Sequence, residues 1–371
     1  MTARTTPPFR ADHVGSLIRP AALIEARRAA ADGRMPPEEL RRMQEEAIRE
    51  VVRTQEEIGL RSITDGEYNR GFWQRDFLLK LDNVAEAPSR IAVRFHTAEG
   101  VTERSPASLA VTGTLGRPRP IFVDDFAFLK SVTKQTPKAT VPSPTVLHFR
   151  GGRQAVDARA YPDIAEFYSD LAAVYRAEIA DLAAAGCRYL QIDEVNLAYL
   201  CDPNLRKEVA GFGEDAEALP ATYARLVNEA IAARPKDMVV AMHLCRGNFA
   251  GAWVAEGGYE PVADLLFNDI GVDAYFLEYD SPRAGGFEPL RFLPKGKIAV
   301  LGLVTTKSPE LESKDDLKRR IASAARFAPL EQLALSPQCG FSSGIGGETM
   351  TPEHQRGKLE LVVETAREVW G

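Results

Sequence analysis

Cysteine is scarce: four residues in 371, at positions 187, 201, 245 and 339, are too few and too widely spaced for a secreted disulfide framework. Each is read as a free thiol whose default role is core packing. Histidine is nearly as rare, with five residues. No apolar run approaches the roughly 18 residues needed to cross a bilayer, and the opening MTARTTPPFR has no apolar segment behind its arginines. No membrane partner and a cytoplasmic location are therefore expected. Nor is there a basic block: 46 Lys and Arg are scattered among 52 Asp and Glu for a net charge of −6, which argues against a nucleic-acid partner. No Ser/Gly-rich or strongly charged linker divides the chain, and no repeat of the solenoid kind is present, so a single domain over 1–371 is expected.

What is present is the composition of an ordinary globular protein, 45% hydrophobic and 26% charged, with enough length for a large core and a small molecule as the expected partner. Short β-rich runs alternate with helix-patterned stretches. Strands are expected over 11–14, 61–64, 139–141, 188–192, 238–243, 273–277, 297–301 and 332–335, from β-branched and apolar content bounded by Gly, Pro or acidic residues. Helices are expected over 37–58, 164–185, 216–233, 314–327 and 352–369, the last announced by Thr351-Pro352-Glu353, an N-cap followed by Pro at the first helical position. Eight strands alternating with helices make an α/β fold of the TIM (β/α)8 barrel type. An insertion after the second strand, about 80–135, carries two further β-like runs at 91–95 and 108–112 and is read as a hairpin and a helix over one barrel end.

Catalytic groups of such barrels follow the carboxyl ends of the strands, and here those ends are polar. They carry His13-Val14-Gly15-Ser16, Asp65-Gly66-Glu67, Asp193-Glu194, His243-Leu244-Cys245, Glu278-Tyr279-Asp280, Thr305-Thr306-Lys307 and Gln338-Cys339. His243 and Cys245 are two apart, hence on one side of an extended segment, and Glu278 and Cys339 emerge from the same face. Nitrogen, sulfur and oxygen donors in that mixture suit Zn2+. Taken singly, His-x-Cys is a weak signal that packing also produces. A zinc ion with two thiolates and a carboxylate is a poor activator of water, but it can bind and deprotonate a thiol, so thiol alkylation is the more natural chemistry. Asp65, Glu67 and Asp193 either cap helices and pair with arginines such as Arg70 or, converging on one mouth, receive a cationic group such as an ammonium. In the second case Ser16 and the amides around Gly15 could hold a matching carboxylate.

The ordered set Val14-Gly15-Ser16, Gly66-Glu67, Gln191-Ile192-Asp193-Glu194, His243-Leu244-Cys245, Glu278 and Pro337-Gln338-Cys339-Gly340 resembles the cobalamin-independent methionine synthase family, in its catalytic carboxyl-terminal barrel, over almost the whole chain. The resemblance implies a zinc-dependent methyltransferase that activates the homocysteine thiol as a zinc-bound thiolate and makes methionine. It implies zinc ligands at His243, Cys245, Glu278 and Cys339, and homocysteine contacts at Ser16, Glu67 and Asp193. Two departures stand out. The family's amino-terminal barrel, which helps hold the polyglutamated folate, has no counterpart here. The family's His-Ser-Pro after the seventh strand is Lys307-Ser308-Pro309, so the proton for a folate leaving group falls to Lys307 as the candidate catalytic acid. Both departures resemble the short single-barrel members, for which the methyl donor is methyltetrahydrofolate or a methylcorrinoid, free or on a corrinoid protein. With a folate donor slow turnover is expected, with a methylcorrinoid faster turnover. The alternative in the same superfamily is an epoxyalkane:coenzyme M transferase, whose sulfonate substrate would need Arg70, Arg75 or Arg283 to offset Glu67 and Asp193. A non-catalytic zinc-storage barrel is the third reading.

Overall fold

The structure, a computed structural model, describes residues 4–88, 93–97, 100–104, 108–249, 251–342, 344 and 350–371. Its strands are β1 (Ser62–Ile63), β2 (Asp82–Ala87), β3 (Val93–Thr97), β4 (Gly100–Arg104), β5 (Ser108–Gly116), β6 (Thr136–Pro137), β7 (Ala139–Pro142), β8 (Tyr189–Glu194), β9 (Val239–Leu244), β10 (Ala274–Glu278), β11 (Ile298–Val304) and β12 (Leu333–Pro337). Strands β7 to β12 form one parallel sheet in sequence order. At one edge β1 pairs in parallel with β6, immediately before β7. At the other, Asp12 N donates to Leu335 O (3.0 Å) and Leu335 N to Arg10 O (2.9 Å).

All eight expected runs thus stand in one parallel succession, with the first reduced from a strand over 11–14 to a bridge at Ala11. The joint between the first and second runs is made mostly by side chains, with a single backbone bond beyond it from Leu17 N to Gly66 O. Ser62 Oγ donates to Asp12 Oδ1 (2.7 Å), Thr64 Oγ1 to Gly15 O (2.6 Å), and a ring nitrogen of His13 lies 3.2 Å from Ser62 O. The fold is α/β of the TIM-barrel type, with that one seam closed without a backbone ladder.

The long helices fall where the pattern put them, at Pro37–Ile58, Ile164–Ala184, Leu219–Ile231, Lys314–Ala324 and Pro352–Trp370. Thr351 caps the last of these, its Oγ1 accepting from His354 N while the His354 ring accepts from Thr351 N, both at 3.3 Å. Helices Ala21–Ala31 and Pro203–Gly211 were not anticipated, and between β10 and β11 only short 3-10 turns occur among the described residues.

The insertion also differs from expectation. It holds two antiparallel pairs, β2 with β5 and β3 with β4, rather than one hairpin. Its helix, Val123–Val132, packs between Pro37–Ile58 and Ile164–Ala184 and is therefore the ordinary crossover helix of the second unit. The β3–β4 pair reaches the loop after β9, where His96 N donates to Trp253 O (2.8 Å) and Trp253 N to His96 O (3.1 Å).

The largest core lies between sheet and helices, while Val14, Tyr189, Ala241, Ala274, Phe276, Ile298, Val300 and Ala334 form a smaller cluster of their own. Close approach is essential at Gly302 in β11. A Cβ there would stand 2.7 Å from both Gln338 Cα and Leu277 O, so only glycine lets the ends bearing Glu278 and Cys339 come together.

Burial, and then the Lys138 cation, lower His13 from the usual 6.5 to about 4. The folded chain thus binds fewer protons than the unfolded one between these values, and the resulting destabilisation grows as pH falls through that window, to about 3 kcal/mol at most. The difference in unfolding free energy between wild type and His13→Asn should therefore shrink from pH 7.5 to 4.5. A difference independent of pH in urea titrations would refute the assignment.

Candidate functional site

After β1 the chain turns through two left-handed residues, Gly66 (φ +66°) and Glu67 (φ +61°). A glutamate in that region costs on the order of 1 kcal/mol and persists only when its surroundings fix it. Here Glu67 N donates to Asp65 Oδ1 (2.9 Å), Leu17 N to Gly66 O (3.0 Å), and Arg19 Nη2 to Glu67 O (3.0 Å). Asp65 is thereby occupied as a turn former. The side chain of Glu67 is 3% exposed as a residue; its Oε1 accepts from Thr140 Oγ1 (3.0 Å) with Arg70 at 3.4 Å, while Oε2 has no hydrogen-bond partner among the described residues.

The second acid, Asp193, is the last residue but one of β8, with Oδ1 accepting from Gln191 Nε2 (2.7 Å). Burial, and then the charge of Glu67, push its carboxyl up to about 7. Two enclosed carboxylates, one with an orphaned oxygen and the other hard to ionise, are short of a cation.

Beside them stand the soft donors. Asp193 and His243 are register neighbours on β8 and β9, and alternation puts Cys245 on the same side as His243. Ligand atoms of His243, Cys245 and Cys339 all lie within 4.8 Å of one another. The sulfurs of Cys245 and Cys339 are 3.4 Å apart, too far for a disulfide and close to the spacing of about 3.8 Å that two thiolates take on one tetrahedral zinc. Both ring nitrogens of His243 are buried without a hydrogen-bond partner among the described residues. Contact with Cys339, together with His243, favours ionisation at Cys245; the charge so placed disfavours it at Cys339. Against its own burial, His243 is raised by Cys245. An imidazole whose close polar neighbour is the Cys245 thiol, and two sulfurs sharing one charge, form a donor set that fits a zinc ion.

Glu278 is near this trio but otherwise engaged. Its Oε1 is held by Arg283 and by Lys307 Nζ (3.1 Å), and its Oε2 accepts from Arg246 N (3.0 Å). Burial opposes its ionisation, yet Lys307 and Arg283 hold it down to about 2. Lys307 also reaches Asp280 Oδ2 at 3.0 Å, so its ammonium is directed at two carboxylates. Of the four expected ligands the structure brings three together and gives the fourth to cations.

A cavity of about 400 Å³ joins these groups, lined by Ser16, Glu67, Asp193, His243, Cys245 and Cys339; neither Glu278 nor Lys307 is among its lining residues. Ser16 and Cys339 are brought together at Gly340, where a Cβ would meet Ser16 Oγ at 1.9 Å. The opposite wall is aromatic, from Phe72, Trp73, Phe95 and Phe249, with Phe95 supplied by the insertion. Arg150 is the one Arg or Lys lining the cavity among the described residues. The sequence leaves Phe72 and Trp73 between core and pocket wall and points to the insertion, which holds Phe95, and to the 142–150 loop, which ends at Arg150, as shaping the donor side; Phe249 carries no signal in the sequence.

The remaining thiols are structural. Cys187 donates to Tyr189 O (3.3 Å) and burial pushes it up to about 12; Cys201 donates to Leu197 O (3.4 Å) and is pushed up to about 11. His148 is buried against Tyr223 OH (3.0 Å) and Glu214 (3.6 Å).

Residues 9–368 match the family described as "Cobalamin-independent synthase, Catalytic domain". An uncharacterised protein of Bacillus subtilis, YxjH, is 43% identical over 98% of this chain and 95% of its own length. The 5-methyltetrahydropteroyltriglutamate--homocysteine methyltransferase of Thermotoga petrophila is 25% identical over 91% of this chain but only 42% of its own, longer sequence. Among solved structures, a putative vitamin-B12 independent methionine synthase from Listeria monocytogenes superposes with a TM-score of 0.78 at 36% identity, covering 99% of this chain and 100% of that one. With a family match running almost from end to end and a relative of nearly equal length at this identity, the chain belongs to the cobalamin-independent synthase catalytic-domain family.

Proposed function

We propose that this chain is a methyltransferase of the methionine synthase type that methylates homocysteine on sulfur and depends on zinc held by His243, Cys245 and Cys339. One observation carries the reading: the soft donor trio and the cation-deficient pair Glu67 and Asp193 line a single cavity. That pairing suits a molecule with a thiol at one end and an ammonium at the other. A zinc ion at the trio would lower the pKa of the arriving thiol, so that a thiolate is available at neutral pH. Glu67 Oε2, lacking a partner, and Asp193 receive the ammonium, while Ser16 and the neighbouring amides take the α-carboxylate. Fixing the amino-acid end aims the sulfur at the aromatic side of the cavity and holds it there for in-line attack on a methyl carbon.

The donor in this reading is a reduced folate, the donor that the name of the Thermotoga petrophila relative states. An aromatic wall beside Arg150 suits a flat heterocycle with a carboxylate tail. The family description and the name of the Listeria monocytogenes relative mention a corrinoid only as something not required. Glu278 is retained as a ligand only if it leaves Arg283 and Lys307; in the resting arrangement Lys307 neutralises it rather than facing the donor.

Of the arginines that the epoxide reading needs to offset the two acids, Arg75 is turned to Glu86 and Arg283 to Glu278 and Asp280, so Arg70 beside Glu67 sets one cation against two carboxylates. The deciding assay offers homocysteine with methyltetrahydrofolate, of one and of several glutamates, and separately with a methylcorrinoid. Methionine formed from the folate is the expected result. Turnover with the corrinoid alone would replace the donor, and an absence of thiol methylation with every donor would refute the activity.

A further inference from the structure

Beneath the acid pair the interior carries a charge that the chemistry above does not use. Lys138 is enclosed, 1% exposed, at the junction of β6 and β7. Its ammonium donates to Asp12 Oδ1 (3.1 Å), to the carbonyl of His13, and to Gln191 Oε1 (3.1 Å), so its three protons have three acceptors. Asp12 balances the charge and is itself saturated, accepting from Ser62 Oγ (2.7 Å), His13 N (2.8 Å) and Tyr189 OH (2.9 Å).

The ammonium dictates how Gln191 must stand. Lysine only donates, so the amide turns its oxygen toward Nζ and its NH2 group the other way. The two amide protons then go to Val14 O (2.5 Å) and to Asp193 Oδ1 (2.7 Å). Both are acceptors, so the flipped amide would oppose oxygen to oxygen at two places and NH2 to an ammonium at the third; only one orientation satisfies all four groups. Gln191 and Asp193 share the inward face of β8, whereas Val14 opens the segment that carries Ser16.

We propose that Lys138 is a positioning residue for the amino-acid pocket. Acting through Gln191, it fixes the acid that receives the ammonium, Asp193, relative to the Val14-Gly15-Ser16 segment that receives the carboxylate. The device selects a free α-amino acid, since it sets the span between cation and anion acceptors. The inference rests on the reading of the pocket given under Proposed function.

A merely structural ion pair would make a different prediction. Asp12 and Lys138 tie the first segment to β6 and β7, and on that account alone their loss would lower stability without touching affinity. The test uses the full-length, zinc-loaded chain. Gln191→Glu keeps the shape and replaces the two donors to Val14 O and Asp193 by an acceptor, at the cost of one added buried negative charge beside the Asp12–Lys138 pair. Asp12→Asn combined with Lys138→Met removes the ion pair without leaving a lone charge.

Homocysteine Kd by calorimetry, together with KM and kcat, gives the readout. For Gln191→Glu, Kd and KM should rise at least about 30-fold, with kcat at saturation within about threefold and zinc content unchanged. For the double variant the rise should be about tenfold. If the double variant does not fold, Gln191→Glu decides alone. Kd within about threefold of wild type in a folded variant, or a fall in kcat at constant KM, overturns the inference. A wild-type chain that binds no homocysteine overturns the reading of the pocket and this inference with it; wild-type binding with unaltered variants overturns the inference alone.

Discussion

Cys245→Ser and Cys339→Ser should each yield a folded chain that is purified without zinc and has lost thiol methylation. Four-donor zinc sites bind with about 10–16 kcal/mol, so one thiolate accounts for about 3 kcal/mol, or more than a hundredfold in affinity. Serine occupies nearly the same space, and each sulfur is buried with the other only 3.4 Å away, so the change is chemical rather than steric. Cys187→Ser and Cys201→Ser are the controls: both thiols donate to nearby carbonyls away from the trio, and both variants should keep their zinc. Metal analysis together with circular dichroism makes the comparison. Full occupancy in both active-site variants would remove the proposed site.

Asp193→Asn should weaken homocysteine binding by about 3–5 kcal/mol, the usual cost of breaking a buried charge pair on one side, with zinc content unchanged. That is a loss of about two to nearly four orders of magnitude in Kd. Asparagine retains an oxygen for Gln191 Nε2, so the hydrogen bond at 2.7 Å survives and only the charge is lost. A thiol of the same length that keeps the carboxylate but lacks the amine separates the causes. It should bind wild type poorly and be almost indifferent to the substitution, because the interaction removed is one it never makes. Equal losses for both thiols would mean that the aspartate supports the cavity rather than the ammonium.

Much of this arrangement was legible from local sequence. Two-residue alternation sufficed to put His243 beside Cys245, and helical periodicity with Thr351-Pro352 located the final helix. What stayed hidden depends on partners far along the chain. That Lys307 would meet Glu278 and Asp280, and that Arg283 would share them, follows from the packing of loops after β10 and β11, which no spacing rule encodes. Lysine in place of histidine read as a candidate acid; its ion pairs give it another occupation. Gln191 reads in the sequence only as part of a strand and of the Gln191-Ile192-Asp193-Glu194 run, because its three partners belong to other segments or to the next inward position of β8. The insertion helix was misassigned for a simpler reason: an amphipathic segment reads alike whether it covers a barrel end or its flank, and only packing between Pro37–Ile58 and Ile164–Ala184 distinguishes them.

The seam between the two ends of the chain has a consequence for synthesis. Arg10 and Asp12 pair with Leu335, Phe341 N donates to Ser16 O (2.9 Å), and Ile18 N donates to Gln355 (2.7 Å). These contacts close loops of more than three hundred residues, the slowest kind to form and the last to be satisfied on a ribosome. A nascent chain can assemble β7 to β10 and present His243 and Cys245 while Ser16 lacks its neighbours Gly340 and Phe341 and Cys339 has yet to be translated. On the proposed assignment, the metal site and the amino-acid pocket therefore mature together, at the end, and a chain terminated before Cys339 should acquire neither.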